Sequence, residues 1–288
     1  MEQKVAVIGA GGKMGSWFVN YFSRRNSRIN AYDSDRKSLR SLADGVTISG
    51  SLSDCARTAD LVLVCVPVHV APQVIRECAR AMKSGAIIAE ISSVKQKTFR
   101  VLKRLRSDVH PLCIHPMYGP GASEKRPLKI LMVPVRNEQQ ESNILRGIFK
   151  DAVVTSLPDA KSHDCAIATV LSLPYFASIV FAKSVAGEDI KRLKRIAGTT
   201  FTFQSLLAES VLTDEPDLIS ALIKENPAAQ KQITRYLREA AATAKLASSA
   251  NSEMFLADIR KLKRGLQKHQ DLQLSYRRLY DILDAMHS

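Results

Sequence analysis

Short apolar runs alternate with amphipathic stretches through the first half of the chain. The apolar runs, rich in β-branched residues, predict strands at residues 5–8, 28–32, 61–66, 86–91, 112–114, 130–135 and 153–155. Residues 14–24, 70–82 and 138–149 have the spacing of helices. Because the strands are apolar on both faces, we expect a mainly parallel sheet covered by helices on both sides. The pattern predicts a doubly wound α/β domain over residues 1–158.

The pattern changes after residue 158, where no further strand is predicted. Apolar residues recur at three- and four-residue steps in the segments 162–184, 217–224, 228–248, 253–268 and 272–286. Residues 159–288 are therefore expected to form an all-helical second domain. The stretch 167–182 is apolar nearly all round, which predicts burial in a helix bundle or a subunit interface.

Length and composition favour a soluble two-domain protein. The chain has 288 residues, of which 45% are hydrophobic, and we find no apolar run approaching the roughly 20 residues of a membrane span. The first residues lack the order of a signal peptide. The five cysteines include no pair at Cys-x-x-Cys spacing, so we expect neither a disulfide framework nor a zinc site. These features predict a cytoplasmic protein without a metal or a membrane partner.

The formal net charge of +14 is concentrated in the first half, with +11 on residues 1–158 and +3 on residues 159–288. Such a surplus can attract nucleic acid or anionic metabolites, and it can equally be a solvated surface. The basic clusters at 100–106 and 260–264 have helical spacing without interleaved aromatic residues. The pattern therefore favours the solvated surface over a nucleic-acid face.

A glycine-rich segment follows the first predicted strand directly and opens the first predicted helix. This context is typical of the dinucleotide-binding turn of Rossmann-type sheets, where the backbone approaches a pyrophosphate at the helix start. The predicted cofactor-binding residues in this turn are Gly9, Ala10, Gly12, Lys13, Met14 and Gly15. Asp33 ends the second strand, where a carboxylate accepts hydrogen bonds from ribose hydroxyls, which favours NAD. NADP stays open, because Arg36 could meet its phosphate.

Three further segments follow predicted strands and should face the cofactor, because open α/β sheets bind ligands beyond the carboxyl ends of their strands. They are residues 65–70 (Cys-Val-Pro-Val-His-Val), 91–95 (Ile-Ser-Ser-Val-Lys) and 114–120 (Ile-His-Pro-Met-Tyr-Gly-Pro). In the first, Val66 and Pro67 are expected to contact the cofactor. Together the segments resemble the prephenate and arogenate dehydrogenase family of tyrosine biosynthesis, whose marks are a Ser-Val-Lys step and a His-Pro-Met-aromatic-Gly-Pro turn.

The resemblance implies a function and a set of site residues. It implies oxidative decarboxylation of a cyclohexadienyl acid, with His115 as the catalytic histidine and Ser93 hydrogen-bonded to both the substrate hydroxyl and this histidine. His163 and Asp164 match a His-Asp pair of the family. The match places His163 at the domain junction, where it could contact the substrate, cap a helix or order the cleft. Neutral imidazole is also a suitable proton acceptor near pH 7, which supports His115 as the base. The family further implies a homodimer through the helical domain.

The chain departs from the family at two expected substrate anchors. Tyr175 stands where members that use prephenate commonly have a histidine, and it could donate a phenolic hydrogen bond to the substrate instead. An arginine expected shortly before Asp214 is replaced by Glu209 or Ser210, and no arginine lies between Arg195 and Arg235. Buried carboxylates need fixed partners, so prephenate and arogenate, whose ammonium needs less positive charge, both stay open.

Two other functions are compatible with the same residues. One is a related two-domain NAD(P)-dependent dehydrogenase whose substrate has diverged to another hydroxy acid. The other is a non-enzymatic regulatory protein that binds a nicotinamide cofactor and uses its basic surface to contact nucleic acid or an acidic protein.

Overall fold

The computed structural model describes residues 2–42 and 44–287, and its first part is an eight-stranded sheet. The strands are β1 (Lys4–Ile8), β2 (Arg28–Tyr32), β3 (Thr47–Ile48), β4 (Leu61–Val64), β5 (Ile87–Glu90), β6 (His110–Pro116), β7 (Lys129–Val133) and β8 (Val153–Ser156). Their order is β3-β2-β1-β4-β5-β6-β7-β8. Strands β1 to β6 are parallel, β7 runs antiparallel to β6, and β8 runs parallel to β7.

Helices cover both faces of this sheet. They are α1 (Lys13–Ser23), α2 (Leu52–Arg57), α3 (Ala71–Ala81), α4 (Gln96–Leu102) and α5 (Glu138–Ile148). On one face, Phe18 and Phe22 of α1 pack with Phe149. On the other, Ile75 of α3 and Leu102 of α4 are fully buried in a second apolar layer. Strands between two such layers must be apolar on both sides, as their sequences are.

The predicted doubly wound fold is confirmed, with differences at short elements. Every predicted strand is present within a few residues of its expected bounds. β3, α2 and α4 were not predicted, because two, six and seven residues are too short to show a period. β6 extends to Pro116, so His115 lies inside the strand, paired with Leu131 of β7, rather than in the turn that follows.

The described chain after β8 is helical, as predicted. It contains α6 (Ala160–Ile167), α7 (Leu173–Val185), α8 (Ile190–Ile196), α9 (Thr199–Leu212), α10 (Pro216–Ser220), α11 (Ala229–Ala247), α12 (Ser252–Gln267) and α13 (Leu272–His287). Wide π-helical turns lie at Ala168–Ser172 and Ala221–Glu225. Helices α8 and α9 were missed; α9 buries only Ser205, Ala208 and Val211, so its exposed apolar residues blur the amphipathic stripe.

The chain packs as two compact units, here called the sheet unit and the helical unit. The sheet unit extends through Ala168 and also includes Pro216–Pro227. The helical unit comprises Thr169–Glu215 and the residues from Ala228 onward. The expected domains, 1–158 and 159–288, follow the change from strands to helices in the sequence, and that boundary stays a prediction. By packing, α6 and the segment 216–227 join the sheet.

One expectation about the helices is wrong. Helices α6 and α7 join through the π-helical turn into one helix of 26 residues, Ala160–Val185, which is long and apolar enough to cross a membrane. The sequence shows no unbroken apolar run of that length, because Thr169, Ser172 and Ser178 interrupt the apolar residues of the segment 162–184. Only 22% of its most apolar window is buried. Length and composition alone do not assign it to a membrane, because apolar helices that pack inside proteins meet the same criteria.

Candidate active site

The turn after β1 folds as a tight cradle that depends on its glycines. Gly9 has a φ of +81°, and its N–H donates to the carbonyl oxygen of Tyr32 at 2.8 Å. A Cβ on Gly15 would lie 1.9 Å from the carbonyl oxygen of Gly9. Because neither position tolerates a side chain, the first turn of α1 packs directly on the strand end.

The start of α1 has the features of a pyrophosphate site. Gly12 is the N-cap residue, and no side chain caps the helix. A Cβ on Gly12 would lie 3.4 Å from the carbonyl oxygen of Gly9, an ordinary van der Waals contact, so the protein does not crowd this residue. Uncapped N–H groups at a helix N-terminus attract an anion. Residues 12–15 therefore fit the phosphates of a dinucleotide.

Asp33 lies beside this cradle at the end of β2. Its carboxylate accepts hydrogen bonds from the N–H of Gly11 and the N–H of Asp35, both at 3.0 Å. Arg36 turns away from Asp33 to donate to the carbonyl oxygen of Gly50 at 2.8 Å. The carboxylate, and not the guanidinium, is thus the charged group next to the glycine turn.

The glycine turn lies at the point where the strand order reverses. β1 is flanked by β2 on one side and β4 on the other, and ligands bind in the crevice above such a point. Val66 follows β4 and is a close neighbour of Gly9, since a Cβ on Gly9 would lie 3.0 Å from Cγ1 of Val66. Pro67 is exposed. The predicted cofactor-binding residues of the turn, Asp33 and Val66 are therefore brought together, whereas no contact in the structure tests Pro67.

The loop after β6 is tied to α1, the helix that begins at the glycine turn. The ring of Tyr118 lies 5.0 Å from that of Trp17, centroid to centroid. The indole N–H of Trp17 donates to the carbonyl oxygen of Ala122 at 3.1 Å. These contacts bring the segment that follows His115 to the same helix as the cofactor cradle.

His115, His163 and Asp164 form a buried hydrogen-bonded chain in the sheet unit. Nδ1 of His115 lies 3.1 Å from Nε2 of His163, and Nδ1 of His163 lies 2.9 Å from Oδ1 of Asp164. His115 is 4% exposed, and the other two are fully buried. The same Asp164 oxygen accepts the N–H of Lys95 at 2.8 Å. We call the three side chains the relay.

The relay fixes which nitrogen of each ring carries the proton. A carboxylate only accepts, so Nδ1 of His163 donates to Asp164 and Nε2 of His163 is left as an acceptor. Nδ1–H of His115 then donates to that nitrogen. Nε2 of His115 keeps its lone pair, and no residue that the structure describes hydrogen-bonds it. An imidazole held in this form is ready to accept a proton.

Both rings are held neutral. Burial, with smaller contributions from Lys95 and His163, holds the pKa of His115 well below its usual value of 6.5. Burial also lowers the pKa of His163, although the hydrogen bond from its ring to Asp164 opposes that shift. Both changes favour the neutral base at pH 7.

A buried ion pair lies under the relay. The ammonium group of Lys95 is 2.7 Å from Oε1 of Glu90, and both side chains are fully buried. Lys95 also donates to the carbonyl oxygen of Ile114, the residue before His115. The thiol of Cys113 donates to Glu90 at 3.1 Å. The pair therefore joins the ends of β5 and β6 and places a positive charge near the histidine.

Ser93 and Tyr175, the other two predicted substrate residues, have no hydrogen bond to the relay among the described residues. Ser93 is half-buried, and no hydrogen bond links it to His115 among the described residues, so its predicted role is untested. Tyr175 belongs to the helical unit, where its hydroxyl donates to Oδ2 of Asp214 at 2.5 Å. Burial and this carboxylate raise the pKa of Tyr175. Both ring nitrogens of His163 are hydrogen-bonded within the protein. This residue is therefore placed to orient another group rather than to bind substrate.

Several residues of the site carried no predicted role. Gly11 packs against Ser38, since a Cβ there would lie 1.7 Å from the hydroxyl oxygen of Ser38. Lys95 was noted only as part of the Ser-Val-Lys step, and Glu90 was not noted at all. A glutamate that ends an apolar strand, with a lysine five residues later, is a usable signal, because such charges are almost never buried unpaired. Within the described residues, no cluster of three or more possible metal ligands is present.

Two family models match the chain, and they cover most of it. Residues 23–128 match the nucleotide-binding domain of prephenate dehydrogenase, and residues 159–264 match the dimerization domain of prephenate dehydrogenase. The first match begins after the glycine turn, so the geometry of that turn is evidence independent of it.

Curated relatives and solved structures agree with these matches. A probable arogenate/prephenate dehydrogenase of Methanocaldococcus jannaschii is 19% identical, over 92% of this chain and 60% of the relative. A cyclohexadienyl dehydrogenase of Zymomonas mobilis is 25% identical, over 69% of this chain and 72% of the relative. The chain thus spans about three fifths of the length of the first of these relatives.

Two solved structures share the fold over nearly the whole chain. Prephenate dehydrogenase of Aquifex aeolicus, in complex with hydroxyphenyl propionate and NAD+, has a TM-score of 0.74 at 17% identity, covering 94% of this chain and 99% of its own. Arogenate dehydrogenase of Synechocystis has a TM-score of 0.66 at 20% identity, covering 93% and 100%.

Proposed function

The chain belongs to the prephenate dehydrogenase family, and from this we propose that it is an NAD-dependent dehydrogenase that oxidatively decarboxylates a cyclohexadienyl acid in tyrosine biosynthesis. The observation that carries the proposal is the relay, because it leaves Nε2 of His115 as a free acceptor in a buried, neutral imidazole. Removing hydride from a carbon that bears a hydroxyl requires a base for the hydroxyl proton.

His115 accepts that proton in the proposed mechanism. As Nε2 takes up the proton, the ring becomes an imidazolium whose Nδ1–H still donates to His163. The carboxylate of Asp164 stabilises the charge through His163. Ser93 orients the substrate hydroxyl toward Nε2. Loss of the ring carboxylate as carbon dioxide then makes the product aromatic.

The glycine turn, Asp33 and Val66 hold the cofactor. The first turn of α1 would hold the pyrophosphate, and the Asp33 carboxylate, which accepts the N–H of Gly11 in this structure, would accept the ribose hydroxyls. When bound, NAD supplies a nicotinamide ring that accepts hydride. NAD is preferred over NADP because the Asp33 carboxylate repels a 2′-phosphate, while Arg36 is engaged by Gly50.

Of the two acids, arogenate fits the helical unit better. Tyr175, at the position where the family commonly has a histidine for prephenate, is hydrogen-bonded to the carboxylate of Asp214. Among the ion pairs of the described residues, none joins Asp214 to a lysine or arginine. An additional carboxylate would repel the second acid group of prephenate, whereas the ammonium of arogenate is a suitable ion-pair partner for it.

A second candidate is another hydroxy acid, which the two altered anchor positions favour. The double variant Tyr175→His and Ser210→Arg distinguishes a cyclohexadienyl acid from another hydroxy acid as the substrate. Prephenate turnover should appear or rise if only the anchors have changed, and no response would indicate a different pocket.

We further propose that the enzyme is a soluble, cytoplasmic homodimer. No residue of α12 is buried, and the exposed side chains Met254 and Leu262 retain 55% and 58% of their accessible surface. The family's helical domain is a dimerization domain, and a second copy would cover such a face.

The proposal is tested by incubating the protein with each combination of prephenate or arogenate and NAD or NADP. Reduction of NAD with arogenate at the highest kcat/KM is the expected result. If the protein binds NAD and reduces it with neither acid, the assignment is wrong.

A further inference from the structure

One segment of the chain lies between two helices of the helical unit in sequence and yet packs within the sheet unit. It comprises α10 and the π-helical turn after it, and it ends at Pro227. We call residues 216–227 the clasp. The clasp carries no residue that the proposed mechanism uses. It contacts three segments that carry such residues: the loops after β4 and β5, and α6.

The apolar side of the clasp covers two strand-end loops. Ala221 is 2% exposed and packs in one cluster with Val68 and Val94. Val68 follows the predicted cofactor contacts in the loop after β4, and Val94 lies between Ser93 and Lys95. The clasp therefore packs against the loops that follow β4 and β5.

The polar end of the clasp is Asn226, which is fully buried. Its side-chain amide donates to the backbone carbonyl oxygen of Asp164 at 2.9 Å. Its own N–H donates to the carbonyl oxygen of Ala221 at 3.0 Å, which closes the π-helical turn. A buried amide is costly to leave unpaired, so this contact holds Asn226 and Asp164 together.

Asp164 is the residue on which the relay depends. Its carboxylate accepts hydrogen bonds from the ring of His163 and the N–H of Lys95. Its carbonyl oxygen accepts hydrogen bonds from the side-chain amide of Asn226 and from the N–H of Ala168 at the end of α6. A shift of Asp164 would move the acceptor that fixes the ring of His163. Through that ring it would change which nitrogen of His115 carries the proton. At the rim, Lys97 pairs with Glu225 at 3.0 Å, but Lys97 is 60% exposed and such a pair adds little stability.

We infer that Asn226 is a positioning residue for the proposed base: by fixing Asp164, it keeps His115 in the tautomer that leaves Nε2 free. The kinetic part of this inference rests on the proposed function, whereas the tautomer does not. Through the clasp, a residue from the helical part of the sequence sets the tautomer of a histidine in β6.

The direct test reads the histidine tautomers in the protein without any ligand. Nitrogen-15 NMR of histidine-labelled protein distinguishes a protonated from an unprotonated ring nitrogen, and the His115→Asn variant assigns the signals. In the wild type, His115 should show one form, with Nδ1 protonated and Nε2 unprotonated. In Asn226→Ala, and in Asn226→Leu, which keeps the volume filled, the two neutral tautomers of His115 should mix.

Kinetics supply the second readout. For the Asn226 variants, kcat should fall about tenfold while KM for NAD changes less than about twofold, because alignment of the base is lost and cofactor binding is not. Lys224→Ala, an exposed change in the same segment, is the matched control and should change neither readout.

Folded Asn226 variants with an unchanged His115 tautomer would overturn the inference, even if they melted at a lower temperature. If the wild type reduced NAD with neither acid, the proposed function would fail, and the tautomer comparison would still decide the role of Asn226. The two failures are therefore distinguishable.

Discussion

The ring of His163 lies directly behind that of His115, with 3.1 Å between Nε2 of the first and Nδ1 of the second. The two residues are 48 positions apart in sequence, one in a strand and the other in α6. His163 in turn donates to Asp164. The catalytic histidine of this account is thus oriented by a second histidine and a carboxylate.

Removing the middle member of the relay should slow catalysis without removing the base. We expect His163→Asn to lower kcat by about 10- to 100-fold, because His115 loses the acceptor that fixes its tautomer and stabilises its charged form. KM for NAD should be nearly unchanged. Steady-state kinetics check this, with exposed His269→Asn as the matched control. A kcat equal to the wild type would contradict the role given to His163.

Acid should destabilise the fold through the same two histidines. Burial lowers the pKa of both His115 and His163 relative to the unfolded chain. The unfolded state then binds more protons, so the free energy of unfolding falls as the pH drops below about 6.5, by at most about 1.4 kcal/mol per pH unit for each histidine. Urea unfolding between pH 7.5 and 5 measures the slope. His163→Asn should make it shallower, and an unchanged slope would argue against a buried neutral ring.

Acid should also lower kcat, because it protonates His115. Its neutral form is the base, and the groups around it are Lys95, His163, Asp164 and Glu90. Because its pKa is held below 6.5, kcat should be flat above that pH and fall only at lower pH. A profile that loses activity between pH 8 and 7 would show that another group is the base.

The two glycines of the cofactor turn should respond differently to alanine. Gly15→Ala places a Cβ 1.9 Å from a backbone oxygen, so we expect a lower melting temperature. Gly12→Ala meets nothing closer than 3.4 Å, so it should fold normally and bind NAD weakly, because the new methyl group occupies the approach of the pyrophosphate. Calorimetry of melting and of NAD binding separates the effects. Tight NAD binding by Gly12→Ala would mean that the phosphates lie elsewhere.

Asp33 should set the choice of cofactor. Asp33→Ser removes the charge that accepts the ribose hydroxyls, so KM for NAD should rise by about tenfold or more and the preference over NADP should shrink. Exposed Asp151→Ser is the control. An unchanged ratio of kcat/KM for the two cofactors would place the adenosine ribose away from β2.

The regular part of the fold was accessible from the sequence because it depends on local periodicity. A doubly wound sheet is predicted when strands buried on both faces occur together with a glycine turn such as that of residues 9–15. His115 and the pair His163 and Asp164 were noted through a family resemblance. Their mutual geometry could not be predicted, because it depends on how α6 packs beside β6.

The same limit explains the residues that carried no prediction. Asn226 is one amide in a helical stretch, and nothing local shows that its segment leaves the helical unit to pack with the sheet. Glu90 and Lys95 are only five residues apart, but the hydrogen bond from Lys95 to the carbonyl oxygen of Ile114 spans 19 residues. Long-range contacts of this kind have no periodic signature in the chain.

The most direct test of the account compares the wild type with His115→Asn at pH 7.5 in NAD and arogenate, with NADH and released carbon dioxide measured together. The wild type should release equal amounts of both products, and kcat should be lower by about 100-fold or more in the variant, with NAD affinity retained. Turnover in the variant at the wild-type rate, or NADH without carbon dioxide, would contradict it.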